Sequence, residues 1–401
     1  MRRIAARSID PRRRLAMVRW SIALAACIVA MSGCQFSQPA TDAEPIAIGT
    51  VFNATGAQAG LDVPSSRGAT LAAQQINAKG GVLGRRLAQI EVVGESQPDA
   101  WPEAMASCLA QHPSAVAFLG LSDTDNVRAA GTEAARVGRV FLTSGATSPK
   151  LPAEFPGTVF LACFGDNVQA SAGAQWAYHT RGARKVHLYA DLDRTYPRLL
   201  QGYFIDAFQA LGGVITGMQP VKPRATTLEL TPPPAGVDLV YVSVETGSDP
   251  VRVIDALRQA GYDGPVLGGD GYDDPAAWRT SPLADVYFTT HVYLGGDHPD
   301  PRVADFVTEY HAAFDEAPTA FAALGYDAVG LMAKALDNAG VADPGKVAQG
   351  LSRIENYPGV TGDISYTDGS QIPLKSVTLV RIDAGRFAFV DEVKPTRVPP
   401  P

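Results

Sequence analysis

Val140-Phe141-Leu142-Thr143-Ser144-Gly145-Ala146-Thr147-Ser148-Pro149 is the stretch on which the reading of this chain turns. An apolar run enters it, and small, hydroxyl-bearing residues leave it. A near-continuous apolar run marks a parallel strand buried on both faces. In open α/β sheets the ligand crevice lies outside the carboxyl ends of such strands. Gly145 allows close backbone approach. Ser144, Thr147 and Ser148 place hydroxyls beside backbone N–H groups that read as exposed, a cradle suited to a carboxylate. A plain strand-to-loop connection with hydroxyl caps has the same composition, so the flanking sequence must separate the two.

On both sides the pattern alternates. Strands are expected at residues 46–52, 88–93 and 115–119, and helices at 65–78, 102–110 and 125–137, with a glycine-bearing loop at 53–61. Asn77-Ala78-Lys79-Gly80-Gly81 closes the first helix as a glycine C-cap. A second series follows, with strands at 158–163, 185–190, 239–244 and 265–267 and helices at 167–180, 197–211 and 250–260. Further helices are expected at 301–314, 320–338 and 344–354, then a β tail with Asp383-Ala384-Gly385 as its hairpin turn. Two α/β series, each doubly wound around its own sheet, imply two lobes and a cleft between them. The boundaries read as 46–165 with about 292–374 for the first lobe, 166–291 with about 375–393 for the second, and a tail at 394–401.

The amino terminus is of another kind. Arg2, Arg3, Arg7, Arg12, Arg13, Arg14 and Arg19 precede or enter an apolar run at 20–31. That run is shorter than the about 20 residues a bilayer span requires, and fits a secretory signal peptide over 1–33. It ends in Met31-Ser32-Gly33-Cys34, which resembles the lipobox of bacterial lipoproteins, with Met31 where leucine is usual. There, cleavage leaves the cysteine to carry a diacylglycerol, so Cys34 is the expected lipidation site and 34–45 a polar tether. Export would remove seven of the 34 basic residues and one of the 41 acidic ones, leaving 27 and 40, a net charge of −13. Such a surface excludes nucleic-acid binding, which needs a basic footprint, and leaves the lipid as the membrane contact. Cys108 and Cys163 then remain; their helix and strand contexts favour buried free thiols over a disulfide.

These features together resemble the branched-chain amino-acid-binding family, the Leu/Ile/Val-type solute-binding proteins of ABC transporters. The likeness spans nearly all of residues 46–390. Its marks are Thr55-Gly56, Gly68-Ala69, the string Ile76-Asn77-Ala78-Lys79-Gly80-Gly81-Val82-Leu83-Gly84, Ser144–Pro149, Tyr326-Asp327-Ala328 and Thr361-Gly362-Asp363-Ile364. The resemblance implies a type I periplasmic-binding-protein fold: two α/β lobes on a three-stranded hinge, clamping a small solute and docking on ABC permease subunits. It also implies site residues. Thr124, Ala146 and Thr147 match first-lobe positions that hold the ligand head group. Tyr196 matches a tyrosine that closes over it, and Asp270 an acid that takes an ammonium. Leu61 stands where a large side chain covers the ligand, and Phe321 and Tyr326 are candidates for an aromatic wall. Asp123 and Asp125 flank Thr124, making the carboxylate end acidic. Either Asp125 caps the following helix, or the ligand carries an extra positive charge or lacks a carboxylate.

An enzyme is the competing class. The sequence holds no Gly-x-Ser-x-Gly or His-Glu-x-x-His motif, and its one Gly-x-x-x-x-Gly-Lys spacing, at residues 340–346, is followed by Val347 rather than the Ser or Thr of a phosphate-binding loop. Its six histidines (His112, His179, His187, His291, His298 and His311) form no ligand-spaced set, so neither metal nor cofactor is expected. A rival within the same fold is a lipoprotein that senses a ligand or scaffolds the envelope without transport.

Overall fold

The computed structural model describes residues 43–92, 94, 97–296 and 298–401; the signal peptide, Cys34 and most of the tether lie outside them. The first series runs β1 (Ile46–Val51), α1 (Ala59–Ala78), β2 (Leu87–Val92), α2 (Trp101–Gln111), β3 (Ala117–Gly120), α3 (Thr124–Arg136), β4 (Val140–Thr143), α4 (Lys150–Glu154) and β5 (Val159–Leu161). The second runs α5 (Asp166–Gln175), which a π-helical turn (Trp176–Thr180) extends, β6 (Lys185–Ala190), α6 (Thr195–Ala210), β7 (Val214–Pro220), β8 (Leu239–Ser243), α7 (Ser248–Gln259), β9 (Val266–Gly268), α8 (Pro275–Trp278) and β10 (Val286–Thr290). Then come α9 (Pro301–Phe314), α10 (Ala320–Ala339), α11 (Pro344–Leu351), the small hairpin β11 (Tyr357–Gly359) and β12 (Gly362–Ile364), and finally β13 (Val377–Asp383) and β14 (Arg386–Val393).

The strands sort into two sheets that repeat one plan. The first has the order β2-β1-β3-β4-β5, all parallel. The second has β7-β6-β8-β9-β10 in the same parallel winding, with β13 and β14 added antiparallel at the β10 edge. Strands β1, β3, β4, β8 and β10 are buried along their whole length. Their continuous apolar runs therefore need helices on both faces. The chain crosses between lobes after β5, after β10 and after β12, so three segments form the hinge.

Two helices in the first lobe touch backbone to backbone. A Cβ at Gly68 of α1 would run into the carbonyl of Ala322 in α10, and one at Gly325 into the carbonyl of Ser65. This contact corrects the expected loop at 53–61. Helix α1 starts at Ala59, carries Leu61 in its first turn and tolerates Pro64 inside. Proline removes a helical hydrogen bond and reads as a break, but burial of Leu61, Asp62, Ser65, Gly68 and Ala69 along one face holds the turn. In the β13–β14 hairpin, Ala384 and Gly385 both have positive φ, 45° and 77°, as a tight hairpin turn requires.

Candidate functional site

Each sheet ends where its neighbour begins to face it. Residues just beyond β1, β3 and β4 meet residues just beyond β6, β8 and β9, the crevice position expected for doubly wound sheets. Gln58, Leu61, Ser122, Asp123, Gly145, Thr147 and Phe321 line it from the first lobe, and Tyr196, Glu245, Thr246, Asp270 and Gly271 from the second. The enclosed volume is ≈ 20 Å³, about enough for one water molecule. The cleft is shut. Two larger hollows, ≈ 360 and ≈ 560 Å³, are lined partly by the C-terminal segment, and the second also by His291 and Lys375.

On the first lobe, hydrogen bonds within the lobe occupy part of the expected carboxylate cradle. The N–H groups of Ser144 and Gly145 donate to the carbonyls of Gly120 and Leu121, at 3.0 and 3.3 Å. That of Ala146 donates to Thr143 Oγ1 at 2.9 Å. The Thr147 hydroxyl donates to Asp166 Oδ1 at 2.7 Å. Burial, reinforced by the charge of Asp270, pushes Asp166 up to about 7. The cap of α3 is Asp123, not Asp125: its Oδ1 accepts from Asn126 N at 2.8 Å. Asp125 instead pairs with Arg128 at 2.8 Å.

On the second lobe Asp270 is held rather than free to reach across. Its Oδ1 accepts from Gln169 Nε2 at 2.9 Å and from the Tyr196 hydroxyl at 2.8 Å. Its Oδ2 lies 3.1 Å from His291 Nε2. Burial lowers the His291 pKa, so the neutral ring places its proton on Nε2, facing the carboxylate. The ring stacks on Phe164 at 3.9 Å. Gln169 also donates to Asp166 Oδ1 at 2.9 Å, so one amide bridges two carboxylates.

Bonds between the lobes close the cleft. Gln58 Nε2 donates to Glu245 Oε2 at 2.9 Å. Arg194, one-third exposed, lies between Asp123 Oδ2 at 3.1 Å and Glu245 Oε1 at 3.5 Å. Burial, then the charge of Asp123, raises Glu245 well above the carboxylate range, and Arg194 opposes the shift.

Of the residues expected from sequence, Leu61, Thr147, Tyr196, Asp270 and Phe321 meet at this cavity. Thr124 and Ala146 are buried without lining it. Tyr326 lies elsewhere: its hydroxyl donates to Gln75 Oε1 at 2.6 Å and its ring packs on Phe306. Gln58, Arg194, Glu245 and Thr246 were not anticipated. Arg194 is the residue just before α6, two positions ahead of Tyr196 in its first turn, a signal available in the sequence; Gln58 carried none. Among the described residues no group of three or more His, Cys, Asp or Glu side chains could hold a metal ion, and no helix is long and apolar enough to cross a membrane. Cys108 and Cys163 are buried free thiols.

Comparison with known proteins agrees with this architecture. The family model described as "Periplasmic binding protein" matches residues 45–386. An amino acid binding protein of Pseudomonas aeruginosa is 24% identical over 323 residues, covering 76% of this chain and 82% of that one. The Leu/Ile/Val-binding protein BraC3 of Rhizobium johnstonii is 25% identical over 361 residues, covering 86% and 94%. Among solved structures, the branched-chain amino acid transporter substrate-binding protein LivJ of Streptococcus pneumoniae, in complex with isoleucine, superposes with a TM-score of 0.78 at 22% identity. That match covers 88% of this chain and all of that one. With two doubly wound lobes, a hinge of three crossings and a family match across both, this chain belongs to the periplasmic binding proteins, which bind solutes and are not enzymes.

Proposed function

We propose that the protein is an extracytoplasmic solute-binding component, anchored by lipid at Cys34, that delivers an amino acid or similar small polar compound to the permease of an ABC importer. One observation carries this reading: polar side chains from opposite lobes converge on a single cavity and bond to one another across it. A cavity of ≈ 20 Å³ admits a solute only when the lobes part, so binding is coupled to hinge motion. Leu61, Thr147, Tyr196, Asp270 and Phe321, with Gln58, Asp123, Glu245 and Thr246, form the proposed contact set. Thr124 and Ala146 support it from behind.

A thermal-shift screen over amino acids, amides, amines and small organic acids tests the reading, because a ligand that binds only the native state raises apparent stability. A stabilising solute should also change the radius of gyration in X-ray scattering. Saturating binding with unchanged scattering would favour a rigid sensor of the same fold. Cys34→Ala should move the protein from the membrane to the soluble fraction, since acyl chains supply the anchoring energy. A variant that stays membrane-bound would refute the anchor.

A further inference from the structure

Resting on the reading of the cleft as a solute site, we infer that its ligand is a small organic cation without a carboxylate, an alkylamine or a guanidine, rather than an α-amino acid. The excess of buried carboxylates over cations around the cavity carries this. A carboxylate offers only acceptors and needs several converging donors. On the first lobe, the N–H groups of Ser144, Gly145 and Ala146 are spent within the lobe, and the hydroxyls of Ser122, which lines the cavity, and of Ser148 have no partner among the described residues. The hydroxyls of Thr143 and Thr147 donate to the Leu121 carbonyl and to Asp166. On the second lobe, the Tyr196 hydroxyl donates to Asp270, and the N–H groups of Asp270 and Gly271 donate to Gln169 and Tyr196. Arg194 is shared by Asp123 and Glu245.

Acceptors, by contrast, are in excess. Asp123, Glu245 and Asp270 line the cavity, and Asp166 stands one hydrogen bond behind Thr147. Among the described residues, Arg194 is the cation bonded to this set. The nearby Lys375 ammonium is drawn off at the hinge, where it donates to the Ala162 carbonyl and to Thr361. His291 is kept neutral by burial. Thr246, 5% exposed and lining the cavity, has a hydroxyl with no partner among the described residues. That oxygen, like the hydroxyl of Ser122, can accept from a ligand N–H, although each can also donate. A ligand carboxylate would enter among like charges in a site shielded from water. A cationic nitrogen would instead supply the counter-charge for which burial now substitutes by favouring protonation of Glu245 and Asp166. Leu61 and Phe321 add apolar walls for an alkyl chain.

Isothermal titration of the full-length protein, purified in detergent, tests this with two matched pairs: isopentylamine against leucine, and agmatine against arginine. Members of each pair differ by one carboxylate. At least one amine should bind tenfold or more tightly than its amino acid. Glu245→Gln should weaken that amine at least tenfold. Asp123→Asn, which keeps a helix-capping side chain, should weaken it as well and serves as the second variant if Glu245→Gln fails to fold. Equal or tighter binding of the amino acids overturns the inference and leaves the solute-binding reading intact. So does a response confined to organic acids or neutral amides. Wild-type amine affinity in both folded variants overturns the inference too, by placing the cation elsewhere. No binding to any solute in the pairs or the wider screen overturns both readings.

Discussion

Asp327 and Glu245 are buried carboxylates answered by partners of different kinds. Asp327, on α10, accepts from Val360 N at 2.8 Å, Thr361 N at 2.9 Å and Thr361 Oγ1 at 2.6 Å. All three donors lie in the turn between β11 and β12, within the same lobe. Glu245 is met by Gln58 from the opposite lobe and by Arg194, whose other partner, Asp123, is also across the cleft. Opening the hinge leaves the contacts of Asp327 intact and separates Gln58 from Glu245 and Arg194 from Asp123. The first carboxylate therefore fixes the fold, and the second is tied to the position of the lobes.

The largest effect should come from Asp327→Ala. It strands three buried donors and leaves Lys375 without its carboxylate, a loss on the order of 3–5 kcal/mol. Urea unfolding of the variant should show a lower midpoint at an unchanged slope; a midpoint within error of wild type would break the comparison from the structural side.

Asp166 sharpens it from the side of pH. Its pKa, raised to about 7 by burial and then by Asp270, exceeds its ordinary value, so between about pH 4 and 7 the native state holds a proton that the unfolded chain has lost. Its contribution to stability is thus greatest below pH 4 and falls as pH rises to about 7. Asp166→Asn should flatten this fall, by roughly 3 kcal/mol across the window, as read from urea midpoints at pH 4.5 and 7.5. An identical slope in the variant would show that Asp166 is ionised throughout.

The smallest change in stability should follow Arg194→Met. A partly exposed ion pair contributes about 1 kcal/mol or less, so thermal unfolding should move little. The closed state should nevertheless become less populated, giving a larger radius of gyration without ligand. A destabilisation as large as that of Asp327→Ala would mean that Arg194 is structural and that the two carboxylates do not differ as argued.

Much of this architecture was legible before any coordinates. The strands of the two series announce themselves because burial on both faces leaves little room for polar residues, as in Val140–Thr143. Strands β7 and β10 were not anticipated: β7 is an edge strand, mostly half-exposed and interrupted by Gly217, whereas β10 is buried throughout but carries Thr289 and Thr290 at its end. The start of α1 was hidden by Pro64, whose local cost is outweighed by packing against a helix more than 250 residues further along the chain. Five of the candidate site residues meet at the cavity because strand ends on doubly wound sheets converge by topology. Tyr326 does not, since its helix turns that face toward Gln75 and Phe306.

The sequence by itself determined the order of elements, the two windings and the small-residue ends of the strands, all of which depend on local periodicity and burial. The tertiary structure alone decided the state of each polar group at those ends. A serine-rich strand end reads as a row of donors, but Gly120, Leu121 and Thr143 take the N–H groups of Ser144, Gly145 and Ala146, and Asp166 takes the hydroxyl of Thr147. Hydrogen-bond capacity belongs to a residue, whereas its availability depends on neighbours that the chain brings from elsewhere. Here those neighbours occupy part of an apparent anion cradle, and the fold sets Asp123, Glu245 and Asp270 around the same cavity.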